Sequence, residues 1–184
     1  MKRRDALRSL ALITGGLVLV PSCDFSKEDI INAYQNLKIT PSLKQLLADI
    51  AETIIPAGNI KGAADIEVQD FILVMVNDCM EEDARNSFSS GLTGFEDFSK
   101  KTAGSSFGQL DQKQKESLIL TGLSTEEESQ KDIRDFLRMT KRFTTQGFML
   151  SEYIQTQVKP FSLIPGVYKG DVLIADIKTE RING

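Results

Sequence analysis

Residues 40–56 read TPSLKQLLADIAETIIP. Leu43, Leu46, Leu47, Ile50 and Ile54 recur at steps of three and four, which places them on one side of an α-helix. Pro41 stands at the first helical position, where a missing N–H costs nothing, and Pro56 stops the helix. The same period continues downstream. A helix over residues 65–80 would point Val68, Phe71, Ile72, Met75 and Val76 inward, and Cys79 falls on that stripe as a core residue. Glu81, Glu82 and Asp83 then open a helix that carries Phe88, Leu92, Phe95 and Phe98. Acids are favoured at a helix N-terminus by its dipole, so this cluster reads as a charge preference rather than a metal site. Residues 103–110 read as a loop. Asp111 caps a short helix with Leu118, Ile119 and Leu120. Ser124-Thr125-Glu126-Glu127 has the spacing of a capping box before a long helix through Ile133, Phe136, Leu137, Thr140 and Phe143. Gly147 ends or kinks that helix, and Ser151-Glu152 opens a last short one. Upstream, Ser26–Asp29 has the capping-box spacing for a first helix carrying Ile30, Ile31, Tyr34 and Leu37. Beyond Pro160 the chain reads as extended coil with a turn at Pro165-Gly166. No run alternates with a period of two. The expected fold is all-α: a single irregular bundle of six or seven helices with an extended C-terminal tail. The helical domain is expected over residues 42–172, after a tether and first helix at 23–41 and before a tail at 173–184.

The first 22 residues have a different character. Lys2, Arg3, Arg4 and Arg8 precede the apolar run Leu10–Val20, which is shorter than the roughly 20 residues a permanent membrane helix needs. A basic start, a short apolar centre and small residues after it form the grammar of an export signal. Arg3-Arg4-Asp5-Ala6-Leu7-Arg8 resembles a twin-arginine motif; the alternative is a general secretory signal with an incidental arginine pair. Val20-Pro21-Ser22-Cys23 resembles a bacterial lipobox, in which Cys23 would be lipidated and anchor the chain to a membrane. The alternative is an ordinary cleavage site beside a cysteine. The expected location is the periplasmic side of the cell envelope.

Composition excludes several chemistries. The chain has no histidine, so it offers neither an imidazole base nor a histidine metal ligand. Two cysteines cannot build an iron–sulfur cluster or a CxxC redox pair, and no glycine-rich nucleotide fingerprint is present. The net charge of −4 becomes −7 without residues 1–22, which remove four bases and one acid. Such a surface argues against nucleic acid as partner. No catalytic, cofactor-binding or metal-binding residue is assigned. The acidic pairs Glu67/Asp70 and Asp132/Asp135, each at i, i+3 on a helix, read as solvated faces, although two well-placed acids would suffice for a glycosidase.

Several short pieces form an order. Glu52-Thr53-Ile54-Ile55-Pro56 ends a helix, Gly62-Ala63 follows in a loop, Asp78-Cys79 lies on the next helix, and Gly147-Phe148-Met149-Leu150-Ser151-Glu152 ends the long one. Pro165-Gly166-Val167-Tyr168-Lys169-Gly170-Asp171 closes the region. With the signal, this order resembles the gluconate 2-dehydrogenase subunit 3 family over about residues 42–171. The chain departs from the family at Lys61, where proline often precedes Gly-Ala, and at Phe148-Met149-Leu150, where Tyr-Phe-Thr often precedes Ser-Glu. The resemblance implies a small subunit without a cofactor. It would assist folding, export and anchoring of a large flavoprotein of the glucose-methanol-choline (GMC) type that binds FAD and oxidises a sugar or alcohol. A cytochrome c subunit would be a further partner. Phe148, Met149, Leu150, Phe161 and Tyr168 are then candidates for the partner interface, or else cover the domain's own core. The competing reading is a stand-alone envelope lipoprotein that binds another partner or ligand.

Overall fold

The computed structural model describes residues 34–159 and position 171. Arg3, Arg4, Cys23, Phe161 and Tyr168 lie outside the described residues. Five α-helices follow one another: α1 (Pro41–Ile54), α2 (Val68–Cys79), α3 (Glu82–Ala103), α4 (Gln112–Ser124) and α5 (Lys131–Leu150). A π-helical segment at Ile154–Val158 makes a sixth, and short 3-10 turns occupy Ala64–Ile66, Phe107–Gln109 and Glu128–Gln130. Among the described residues there is no strand, so the all-α bundle is the fold observed.

Helix α5 is the centre of the bundle. It packs most extensively on α3 and also meets α2, α4 and α1. Its buried positions are Ile133, Phe136, Leu137, Thr140, Phe143, Thr144, Gly147 and Phe148, one continuous face at steps of three and four. Phe136 meets Phe88 edge-on at 5.1 Å and Phe95 at 5.8 Å between ring centroids. Phe95 also meets Phe107 at 5.2 Å. Edge-to-face pairs of this kind add to the burial of the rings themselves. The helices approach closely because Gly91 carries no side chain: a Cβ there would overlap the Asp132 carbonyl and the Phe136 Cβ.

Helix-end chemistry explains three of the boundaries. Thr40 Oγ1 accepts from the Leu43 N–H, and Pro41 occupies the first turn of α1. Asp111 and Gln114 form a reciprocal capping box on α4. Gly104, at a φ of 77°, ends α3 in the left-handed conformation that favours glycine.

Six expectations need correction. The helix expected over 65–80 begins only at Val68, because Glu67 sits at a φ of 55° and breaks it from the preceding 3-10 turn. Cys79 is exposed rather than a core residue. The buried face of α2 is turned toward Leu73 and Asn77, leaving Phe71 and Met75 half-buried and Cys79 on the flank. Tyr34 and Leu37 lie in a turn, not a helix, and both are buried. Ser124–Glu127 makes no capping box: α4 runs through Ser124, Thr125 follows it, and its carbonyl accepts from Arg134 Nη1 at 3.0 Å. Gly147 does not end α5; it gives room to Phe71, and the helix continues to Leu150. Within the expected loop 103–110, Phe107 is fully buried on its own 3-10 turn.

The turn at Tyr34 is tied to the bundle by polar contacts. Asn36 donates through its backbone to the Asn77 side chain at 3.0 Å and through Nδ2 to the Asn77 carbonyl at 3.1 Å. Tyr34 Oη donates to Asp70 Oδ1 at 3.2 Å, and Lys44 Nζ lies 2.6 Å from the same oxygen. Burial first, then the Asp70 charge and hydrogen bond, push the Tyr34 phenol up to about 12. The folded chain therefore holds this proton more tightly than the unfolded chain, whose phenol titrates at 10.0. Its stabilising contribution is intact below pH 10.0 and is lost as pH climbs toward about 12. Tyr34→Phe removes that component. Melting temperatures measured across this interval should fall less steeply for the variant than for the wild type; parallel curves would contradict the assignment.

Candidate partner interface

An acid in the last turn of a helix faces the negative end of the helix dipole, so it calls for donors of its own. Glu52, near the end of α1, has two. Oε1 accepts from the Ala57 N–H at 2.7 Å, and Oε2 accepts from the Ala64 N–H at 2.9 Å. The carboxylate thus holds both ends of the loop between α1 and the first 3-10 turn. The Ala63 N–H reaches the Ile55 carbonyl at 2.9 Å, and Gly62 N–H reaches Asp65 at 3.0 Å. A Cβ on Gly62 would overlap the Glu52 carboxylate, which gives the Gly-Ala pair of the sequence its physical reason. Glu52→Ala should lower stability by about 1–3 kcal/mol, because two backbone donors lose their acceptor. Glu52→Gln should recover only part of the loss, since an amide offers one acceptor for two N–H groups. Urea denaturation checks this; full stability of the alanine variant would refute the clamp.

The clamped loop reaches the far end of α5. The Lys61 N–H donates to Tyr153 Oη at 3.3 Å, and Lys61 Nζ lies 5.2 Å from the centre of the Tyr153 ring. At Lys61, where proline would have no N–H to give, this chain makes a hydrogen bond. Ser151 Oγ donates to the Phe148 carbonyl at 2.8 Å and accepts from the Ile154 N–H at 3.3 Å, joining α5 to the π-helical segment. Around this joint Met149, Leu150, Val158 and Ile60 are exposed. Of the residues expected at an interface, Met149 and Leu150 therefore point outward. Phe148 does not: it is 6% exposed and belongs to the core, because α5 continues its buried period through Gly147. Ile60 and Val158 carry no sequence signal: Ile60 stands in the loop after α1 and Val158 at the end of the short π-helical segment, and neither belongs to an apolar period.

The acidic pairs have local occupations. Asp70 is engaged by Lys44 and Tyr34, while Glu67 is exposed at the break before α2. Asp132 accepts from Ser87 Oγ at 2.7 Å, and Asp135 pairs with Lys131 at 2.8 Å. Asp135 lines a groove with Asp83 and Arg138, whereas Asp132 lines a separate polar cleft with Asp97 and Lys101. Among the described residues no cluster of three or more acids or cysteines is placed to hold a metal ion. No described helix is long and apolar enough to cross a membrane.

Residues 41–166 match the family model described as gluconate 2-dehydrogenase subunit 3, about two-thirds of the chain. The chain belongs to this family. The match begins at the first residue of α1, so all five helices, the Glu52-held loop and the exposed end of α5 are parts of the subunit 3 domain. Comparison with curated proteins and with solved structures finds no match.

Proposed function

We propose that this chain is a non-catalytic small subunit of a membrane-associated, FAD-dependent dehydrogenase of the GMC type that oxidises a sugar or alcohol. It assists folding, export and anchoring of the flavoprotein subunit. The observation that carries the reading is the match of the whole helical bundle to the subunit 3 family. Two further features support it. The sequence supplies no histidine and only two cysteines for redox or metal chemistry of its own. Apolar side chains stand exposed where the carboxyl end of α5 meets the clamped loop, the kind of surface a permanent partner covers.

The division of labour follows from the amino-terminal residues. A twin-arginine route carries folded cargo, so a flavoprotein with its FAD already bound could cross on the signal of its small subunit. Cys23 then holds the complex to the membrane, and a cytochrome c subunit receives its electrons.

Deleting the gene in its native bacterium should reduce flavin-dependent dehydrogenase activity of the membranes to background. The wild-type gene restores it, whereas Arg3→Lys/Arg4→Lys does not. Cys23→Ser should move the activity from the membrane to the soluble fraction. Full membrane activity without this chain would refute the proposal.

A further inference from the structure

Helix α4 buries Leu118, Ile119 and Gly122 but leaves Leu120 65% exposed. An isolated surface leucine needs no explanation. This one lines a concave groove of about 310 Å³, with Leu123 beside it and Ile54 and Pro56 on the opposite wall. The rim carries Glu116 and Lys141. Lys141 belongs to a row on the outer side of α5 that also holds Arg138 and Arg142, all three exposed. None of them forms an ion pair with a described residue, whereas Lys44, Lys131 and Arg134 each meet an aspartate. No acidic residue stands between Asp135 and Glu152. In a chain of net charge −4, this is a cationic row running against the sign of the whole; Lys141 borders the apolar recess, and Arg138 lines the neighbouring groove that also holds Asp83 and Asp135.

We infer that an acidic stretch of the flavoprotein subunit docks here, seating one apolar side chain in the groove and its carboxylates against Arg138, Lys141 and Arg142. The inference rests on the function proposed above, since that reading supplies the partner. The groove favours a polypeptide over a lipid surface: a single side chain can enter between Ile54 and Pro56 on one wall and Leu120 and Leu123 on the other. Opposite charge across the contact speeds encounter and makes it salt-sensitive.

The test uses the tagged full-length chain, gently solubilised from membranes of its native bacterium, with capture read as flavin absorbance and dehydrogenase activity. Arg138→Glu/Lys141→Glu/Arg142→Glu should lower the captured flavoprotein about tenfold or more. Leu120→Glu should do the same without touching the basic row. Lys100→Glu/Lys101→Glu/Lys113→Glu, which changes net charge equally at other exposed sites, should capture as the wild type does. High salt should weaken capture by the wild type. Circular dichroism of each variant confirms that the bundle is folded. Equal capture by the wild type, the Arg138/Lys141/Arg142 variant and Leu120→Glu would overturn this surface and leave the proposed function standing. Failure of the wild type to capture any flavoprotein would remove both. Binding to phosphatidylglycerol vesicles that is lost in the Arg138/Lys141/Arg142 variant, with flavoprotein capture unchanged, would make the row a membrane face and overturn the inference.

Discussion

Phe136→Ala lowers the free energy of unfolding by about 3–5 kcal/mol, as expected for removing a fully buried aromatic side chain from a packed core. Phe136 has no exposed surface and touches Phe88 and Phe95 at the contact between α3 and α5. Its loss leaves a void between the two longest helices, and the neighbouring rings cannot fill it without leaving their own edge-to-face contacts. The loss falls on the element against which the other four helices pack. Urea denaturation followed by circular dichroism measures it. Phe71→Ala should cost less, because Phe71 is only half-buried at the crossing with Gly147. A loss below about 1 kcal/mol for Phe136→Ala would mean that α5 is not the core helix of the bundle.

Gly91→Ala gives the second large effect, and its sign opposes local propensity. Alanine within a helix gains about 1 kcal/mol over glycine in intrinsic preference. At position 91 the added methyl meets the Asp132 carbonyl and the Phe136 Cβ, and backbone cannot move aside as a flexible side chain can. Overpacking of this kind costs about 1–3 kcal/mol, so the variant should be less stable despite the better helix former. Gly94→Ala is the matched control: its nearest neighbour, Ile133 Cδ1, would lie at 3.8 Å, an ordinary contact. Gly94→Ala should be neutral or stabilising. If both variants were equally stabilised, the close approach of α3 and α5 would be wrong.

The inward faces of α1, α3 and α5 were legible because each repeats apolar residues over three or more turns, and one face is then the only way to bury them. Helix α2 was harder. Its apolar residues cover more than half of its circumference, so the side that meets the core depends on where α5 crosses it. That crossing turned Leu73 and Asn77 inward and left Cys79 outside. Helix α4 has only a narrow apolar face, and Leu120 adjoins two buried residues, so nothing local marked it as outward. Gly147 misled because glycine often ends a helix, whereas here it admits Phe71 and keeps Phe148 on the buried face. Met149 and Leu150, expected at an interface, are exposed; Ile60, in the loop after α1, and Val158, at the end of the π-helical segment, are exposed as well, and the Lys61–Tyr153 contact ties that loop to that segment. The Glu52 clamp joins residues 12 apart through backbone donors that side-chain patterns do not record. Its trace in the sequence was the acid in the last turn of α1, an unfavourable position without partners.

On the proposed function, this polypeptide holds no redox centre and works by binding a subunit that does. The most direct measurement is a visible spectrum and native mass of the tagged chain taken gently from its membranes, before and after dissociation. The account predicts a complex containing one larger flavoprotein whose flavin stays with that subunit, leaving this chain colourless and inactive. A flavin retained by this chain alone, or turnover of a sugar by it without a partner, would contradict the account.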